Sequence, residues 1–326
     1  MSQETLRVGL IGTGYVAKAR AAAFHADSRS QVVATAGHRL ASAEGLAASY
    51  GATAEASWQS LIERSDIDLV AIASANRDHG KAVQGALQAG KHVVVEYPLA
   101  LDFELAESLV TLARQTDKLL HIEHIELLGS LHQTVQAHIN AVGQPVYVRY
   151  ATISPQHPAP SKWTYDPGLF GFPLMGALSR VHRLTNLFGR VATVACQNQV
   201  YRTDQDVIDT CLCSAQVTFA SGPIADVVYG KGDRLWKSTR TLEIQGSQGT
   251  LLFDKDQGVL INAEGEHPIA VAPRHGLFVR DTTMVLDHLE NNTPLYIKPE
   301  ESLYALEVAD AARRSAETGQ TITLSP

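Results

Sequence analysis

The chain has 326 residues, 45% of them hydrophobic and 19% charged, and carries a formal net charge of −7. That length exceeds one ordinary core and fits two domains, while the composition excludes disordered and fibrous classes. The acidic surplus argues against nucleic acid and anionic membranes as partners. No apolar run nears the roughly 20 residues of a membrane span, and the polar start at Met1–Leu6 lacks the apolar stretch of a signal peptide. Cys196, Cys211 and Cys213 form neither a paired framework nor a metal-ligand spacing. They read as small core residues of a protein in a reducing cytoplasm, with no metal.

In chain order, the first part alternates apolar strands with helical patterns, as a parallel sheet of βαβ units does. The expected strands are Arg7–Ile11, Gln31–Ala36, Asp68–Ala73, His92–Glu96 and Leu119–Glu123, with helices such as Val16–His25, Leu40–Tyr50 and Asp102–Thr116 between them. Val93-Val94-Val95 is apolar on both faces, as a central parallel strand should be. Beyond Gly143-Gln144-Pro145 strands follow strands: Val146–Ser154, Val191–Arg202, Thr210–Ala220, Ile224–Gly230, Arg240–Gln245 and Thr250–Asp254. Their spacing and the turns at Ser221-Gly222 and Gln248-Gly249 predict an antiparallel sheet. The fold expected is α/β plus α+β: a doubly wound Rossmann domain over residues 1–125, then a mostly antiparallel domain over 126–326. A last helix, Glu301–Thr318, is expected to pack back on the first domain.

The first strand runs into Gly12-Thr13-Gly14-Tyr15-Val16-Ala17, a G-x-G-x-x-A turn that opens a helix. Gly12 suits the tight turn, Gly14 lets backbone approach a pyrophosphate, and Ala17 allows close helix–strand packing. The helix N-terminus adds free N–H groups and a positive dipole end. At the end of the second strand, an NAD site presents an acid to the ribose hydroxyl. This chain has Gly37-His38-Arg39, and its first acid, Glu44, falls inside the next helix. A 2′-phosphate would be welcomed by Arg39 with His38 beside it, so NADPH is expected and NADH less favoured. The alternative is a solvated charged loop.

Two later segments, Ser74-Ala75-Asn76-Arg77-Asp78-His79 and Glu96-Tyr97-Pro98, resemble the glucose–fructose oxidoreductase and inositol dehydrogenase family. That family carries Thr-Pro-Asn-x-x-His and Glu-Lys-Pro there. The resemblance covers almost the whole chain and implies cofactor contacts from Ser74, Ala75, Asn76 and Glu96. It leaves His79 either on the cofactor or capping and packing its helix. The departures matter more. The family's alcohol dehydrogenases use the Lys of Glu-Lys-Pro and a second-domain His as acid and base. Here the Lys is Tyr97, whose ordinary pKa of about 10 makes a poor base. Counting back from Leu187-Phe188-Gly189, the His falls on Ser179, followed by Arg180.

Glu96-Tyr97-Pro98, Gly171-Phe172-Pro173 and Ser179-Arg180 resemble one branch, the biliverdin reductases. His121–Leu128, Lys162-Trp163-Thr164-Tyr165 and Tyr229-Gly230-Lys231-Gly232 are similar to its cyanobacterial members. The resemblance implies hydride transfer from NADPH to the central methine carbon of biliverdin, giving bilirubin. No alcohol base is then needed. It implies Arg180 and Tyr97 as the catalytic pair, with Arg180 facing the nicotinamide to orient the bilin or a proton-delivering water, and Tyr97 beside the ring. Glu123, His124 and Glu126 follow the fifth strand at the ligand-binding edge of the sheet. Arg183 and Lys231, like Arg234 and Arg240, are candidates for the propionates. Salt bridging, packing or solvation are the structural alternatives for these groups. The rival functions are an NADP-dependent dehydrogenase of another carbonyl or alcohol, and a nicotinamide-binding sensor without turnover. Oligomeric state is left open by the sequence.

Overall fold

The first strand, β1 (Leu6–Ile11), leads into α1 (Tyr15–Ala26), β2 (Ser30–Ala36), α2 (Leu40–Ala48), β3 (Thr53–Glu55) and α3 (Trp58–Glu63). Then come β4 (Leu69–Ile72), α4 (Asn76–Gln88), β5 (His92–Glu96), α5 (Phe103–Gln115) and β6 (Leu120–Glu123). These belong to a computed structural model that describes residues 5–325. The six strands lie in the order β3-β2-β1-β4-β5-β6, every pair parallel. This is the doubly wound dinucleotide-binding order, whose switch point lies between the first strand and the fourth. Ala17, Ala21 and Phe24 of α1 pack on Val8, Leu10, Val32 and Leu69. Small side chains on the inner face of α1 let the helix sit close to the sheet, so its N-terminus is held over the end of β1.

A second unit contains α6 (Ser130–His138), β7 (Pro145–Pro155), α7 (Pro167–Phe170), α8 (Pro173–Gly176) and α9 (Ser179–Phe188). Its further strands are β8 (Val191–Arg202), β9 (Ile208–Phe219), β10 (Ile224–Gly232), β11 (Thr239–Gly246), β12 (Gly249–Asp254), β13 (Gln257–Asn262) and β14 (Gly265–Ala270). The chain then forms α10 (Leu277–Asn291), α11 (Pro299–Thr318) and β15 (Ile322–Thr323). The second sheet runs β14-β13-β12-β11-β7-β10-β9-β8-β15 and is antiparallel except where β10 pairs parallel with β7.

The strands and helices expected from the sequence are found with ends within two residues of those observed. Among the elements that the sequence pattern did not mark are β13, β14 and α10. β13 and β14 form an exposed edge hairpin with Pro268 in it, so apolar alternation is weak there. In α10 the buried face includes Asp281 and Thr282, which interrupt its apolar stripe. That helix belongs to the first unit, which comprises residues 1–125 and 276–303; the second comprises 126–275 and 304–326. The last helix is divided between the units: residues 299–303 belong to the first, where Ser302 Oγ lies 2.8 Å from His124 Nε2. From residue 304 onward α11 belongs to the second unit, where Val308 and Ala312 line an apolar pocket with Val191, Val194 and Val217. The segment that returns to the first unit, residues 276–303, contains α10 as well as the start of α11. All three cysteines are buried and free, with Cys196 Sγ 3.5 Å from Cys213 Sγ.

Candidate functional site

At the end of β1, Gly12 has φ +124, and a Cβ there would lie 2.3 Å from the Ala73 carbonyl oxygen. Only glycine fits that turn. Gly14 caps α1 with extended backbone; no side chain caps the helix and no acid sits in its first turn. A Cβ on Gly14 would meet nothing within 4 Å. The first N–H groups of α1 have no side-chain cap and the backbone at Gly14 has room beside it, a fit for a pyrophosphate. Tyr15 is exposed, Val16 half-buried and Ala17 fully buried. The Thr13 methyl takes the place a Gly37 side chain would need, 2.6 Å from the would-be Cβ. Beyond it His38 and Arg39 are exposed, and among the described residues no carboxylate pairs with Arg39. An unclaimed guanidinium at this edge fits a 2′-phosphate.

After β4, Ser74 and Ala75 are half-buried, and Asn76 opens α4 from a buried position. His79, one turn into α4, is buried with Nδ1 2.9 Å from the Pro98 carbonyl and Nε2 3.2 Å from the Ser74 carbonyl. Its ring ties the loop after β4 to the loop after β5. Of its two readings, packing is the one these contacts favour. Burial lowers its pKa. Glu96 and Tyr97 follow at the end of β5, both half-buried. The Tyr97 ring stacks on His124, with centroids 5.0 Å apart and planes 15° from parallel.

Glu123 and His124 are corrected as direct substrate contacts. Glu123 is 1% exposed and ion-paired with Arg20 of α1. Arg20 also reaches Asp281 Oδ2 at 2.5 Å and Thr282 Oγ1 at 2.9 Å. Asp281 in turn lies 2.8 Å from His121 Nε2 and accepts from the Tyr296 hydroxyl at 2.8 Å. Burial alone would raise the Asp281 carboxyl; the adjoining Arg20 and His121 outweigh it and hold it below the ordinary range. A carboxylate buried as an internal counter-ion has no free face for a ligand. His124 is fully buried, with Nε2 2.8 Å from Ser302 Oγ. Arg20, Asp281, Tyr296 and Ser302 went unnoticed in the sequence because no local motif marks them.

In the second unit, Ser179 and Arg180 open α9. Ser179 is buried; Arg180 is half-buried, its Nη1 donating to Ser179 Oγ at 3.0 Å and its guanidinium 5.6 Å from the Tyr229 ring centre. One turn on, Arg183 is 2% exposed and donates to the Tyr150 hydroxyl at 2.6 Å and the Glu126 carbonyl at 3.2 Å. Glu126 also carries an ion pair to Arg274 at 2.8 Å. Arg183 is therefore corrected from a propionate contact to an internal tie. Lys231 is likewise enclosed. Its ammonium donates to the Thr164 carbonyl and lies 3.8 Å from the Phe170 ring centre and 4.9 Å from that of Tyr165. Burial brings its pKa down to about 8. Arg234 is held by Asp209 at 3.2 Å, and Arg240 is exposed.

Residues 6–124 match the model of an oxidoreductase family's NAD-binding Rossmann fold, and residues 138–324 match its C-terminal alpha/beta domain. The chain belongs to this GFO/IDH/MocA family of oxidoreductases. It is an NAD(P)-dependent oxidoreductase. Among solved structures it is similar to biliverdin reductase from Synechocystis sp. PCC 6803 in complex with biliverdin and NADP+. That likeness is 45% identity and a TM-score of 0.94, over 96% of this chain and 99% of the other. Biliverdin reductase A of Mus musculus is 29% identical over 219 residues, covering 63% of this chain and 68% of its own. A putative myo-inositol dehydrogenase from Sinorhizobium meliloti 1021, 21% identical with a TM-score of 0.78 over 98% of this chain and 100% of its own, shares the fold. No helix among the described residues is long and apolar enough to cross a membrane.

Proposed function

We propose that this chain is an NADPH-dependent biliverdin reductase. The observation that carries the reading is the 45% identity, over nearly the full length of both chains, to a biliverdin reductase crystallised with biliverdin and NADP+. Bound NADPH supplies the hydride accepted by the central methine carbon of biliverdin, which gives bilirubin. The residues of this chain suit that reaction better than alcohol oxidation. Tyr97 and Ser179 stand where the family's Lys and His would accept an alcohol proton, and neither is a base near neutrality. Reduction at a methine carbon needs no such base. It needs a proton for a pyrrole nitrogen and groups that orient an acidic, conjugated substrate.

Arg180 is assigned to that orientation. A guanidinium stays charged and is a poor direct donor of a proton, so its part is to hold the bilin or the water that protonates it. Arg39, with His38, is assigned to the 2′-phosphate of NADPH, and the turn from Gly12 to Ala17 to the pyrophosphate. Ser74, Ala75, Asn76 and Glu96 are assigned to the cofactor's length, with Tyr97 beside the nicotinamide. The buried, unpaired state of the three cysteines agrees with a reducing compartment, the cytoplasm.

Purified protein mixed with biliverdin and NADPH tests the proposal. A green-to-yellow change with stoichiometric NADPH consumption supports it. Tight nicotinamide binding without turnover would replace it with a sensor, and turnover of a carbonyl or alcohol substrate alone would replace it with a dehydrogenase.

A further inference from the structure

We propose that His124 is a positioning residue that fixes the Tyr97 ring, and that Ser302 and Tyr296 hold His124 in place from far along the chain. The proposal rests on the reading that Tyr97 lies beside the nicotinamide. Its own support is geometric. His124 follows β6 directly and is fully buried. Ser302, 178 residues later, meets its Nε2 at 2.8 Å. Its main-chain N–H donates to the Tyr296 hydroxyl oxygen at 3.0 Å, 172 residues away. That hydroxyl donates its one proton to Asp281 Oδ1 at 2.8 Å and so has a lone pair left for His124. Asp281 is itself fixed by Arg20 and His121. The backbone of His124 is thus pinned through Tyr296 to a buried ionic cluster, and its ring to Ser302.

The Tyr97 ring lies on this fixed plane at 5.0 Å and 15°, an offset stack. The next carbonyl, that of Pro98, is held at 2.9 Å by His79. Stack and carbonyl together limit both the backbone after Tyr97 and the swing of its ring. A group beside a reacting carbon gains from such fixing, because a displacement of about 1 Å can cost a hundredfold in rate. His124 does this without touching substrate, which its burial prevents.

The test uses the full chain with biliverdin and NADPH in a double-mutant cycle. The variants are His124→Leu, His124→Phe, Tyr97→Leu and the His124→Leu/Tyr97→Leu pair, with 3-fluorotyrosine placed at position 97 as a spectroscopic probe. His124→Leu should lower kcat about tenfold with the KM for NADPH unchanged within about twofold. His124→Phe, which keeps a ring to stack on, should recover most of that loss. In the Tyr97→Leu background the His124→Leu change should cost almost nothing more, since the ring it positions is gone. The fluorine resonance should shift and broaden in His124→Leu but not in His124→Phe. Additive losses in the cycle, or a fluorine signal unmoved by His124→Leu, would overturn the proposal. Should His124→Leu unfold, a folded His124→Phe that loses about tenfold in kcat with a parental fluorine signal would overturn it as well. Parental turnover in Tyr97→Leu would instead defeat the placement of Tyr97 at the nicotinamide, and the fluorine signal would still report on the stack.

Discussion

At the carboxyl ends of β1 and β2 the N–H groups opening α1 have no side-chain cap, and His38 and Arg39 are exposed. At the carboxyl ends of β5 and β6 the protein itself occupies the charged and ring groups. Glu123 is held by Arg20, His79 lies between the Pro98 and Ser74 carbonyls, and His124 is held by Ser302. The first end resembles a receptor, whose energy is realised only when an anion arrives. The second is a support, whose energy is already in the fold and whose contribution to chemistry is geometric. Mutations at the two ends should therefore be read by different instruments, binding at one and stability or kcat at the other.

The largest expected effect breaks the support. Asp281→Ala removes the acid shared by Arg20, His121 and Tyr296 and leaves a guanidinium without half of its counter-charge. Breaking a buried ion pair in this way costs about 3–5 kcal/mol. Chemical denaturation should show that loss in the midpoint. A variant with parental stability would mean that the cluster is not the anchor its geometry indicates. Arg39→Ala at the receptor end should leave stability unchanged and weaken NADPH by about one to two decades, the worth of a charge-assisted contact of roughly 1.5–3 kcal/mol. NADH affinity should hardly move. Equal efficiency with both cofactors in the parent protein would remove the basis for this assignment.

Acid sharpens the comparison, because buried neutral histidines exact a cost that exposed groups do not. His79 is held below its ordinary pKa by burial, and in the second unit burial brings His132 to about 4 and His182 to about 3. As pH falls through about 6.5 the unfolded chain takes up protons that these rings refuse, so stability falls with pH from about 6.5 towards 4. His79→Gln and His132→Gln should each flatten that limb when melting temperature is followed from pH 7 to pH 4. An unchanged limb in both would show that the acid loss arises elsewhere. The smallest effect is expected from Tyr97→Phe. It keeps the ring that stacks on His124 and removes only the hydroxyl, so turnover should fall by a few-fold at most, on the order of 1 kcal/mol or less. A loss of several decades with folding intact would make the hydroxyl, not the ring, the working part.

Much of this could be read from the sequence, for a local reason. The fingerprint at Gly12–Ala17, the missing acid at Gly37-His38-Arg39, and the period of the strands are each set by residues adjacent in the chain. Backbone sterics, a helix terminus and alternating burial act over that same short range. The placing of Tyr97 and Ser179 at the Lys and His positions of alcohol dehydrogenases is proposed on the same local basis, since it rests on motifs. Only the tertiary structure decided which charged residues are available to a ligand. Arg183 and Lys231 carry the same positive charge on paper as Arg39 and Arg180, and Glu123 is as polar as any of them. Burial beside Arg20, Tyr150 and Phe170 removes them from solvent, while Arg39 stays open and Arg180 remains half-exposed. The segment that completes the first unit likewise had no signature. Asp281 and Thr282 look like polar interruptions of a helix until the fold turns them towards Arg20. Whether a charge is a ligand group or a counter-ion depends on what lies within about 4 Å of it, and those neighbours lie as many as 262 residues away in the chain.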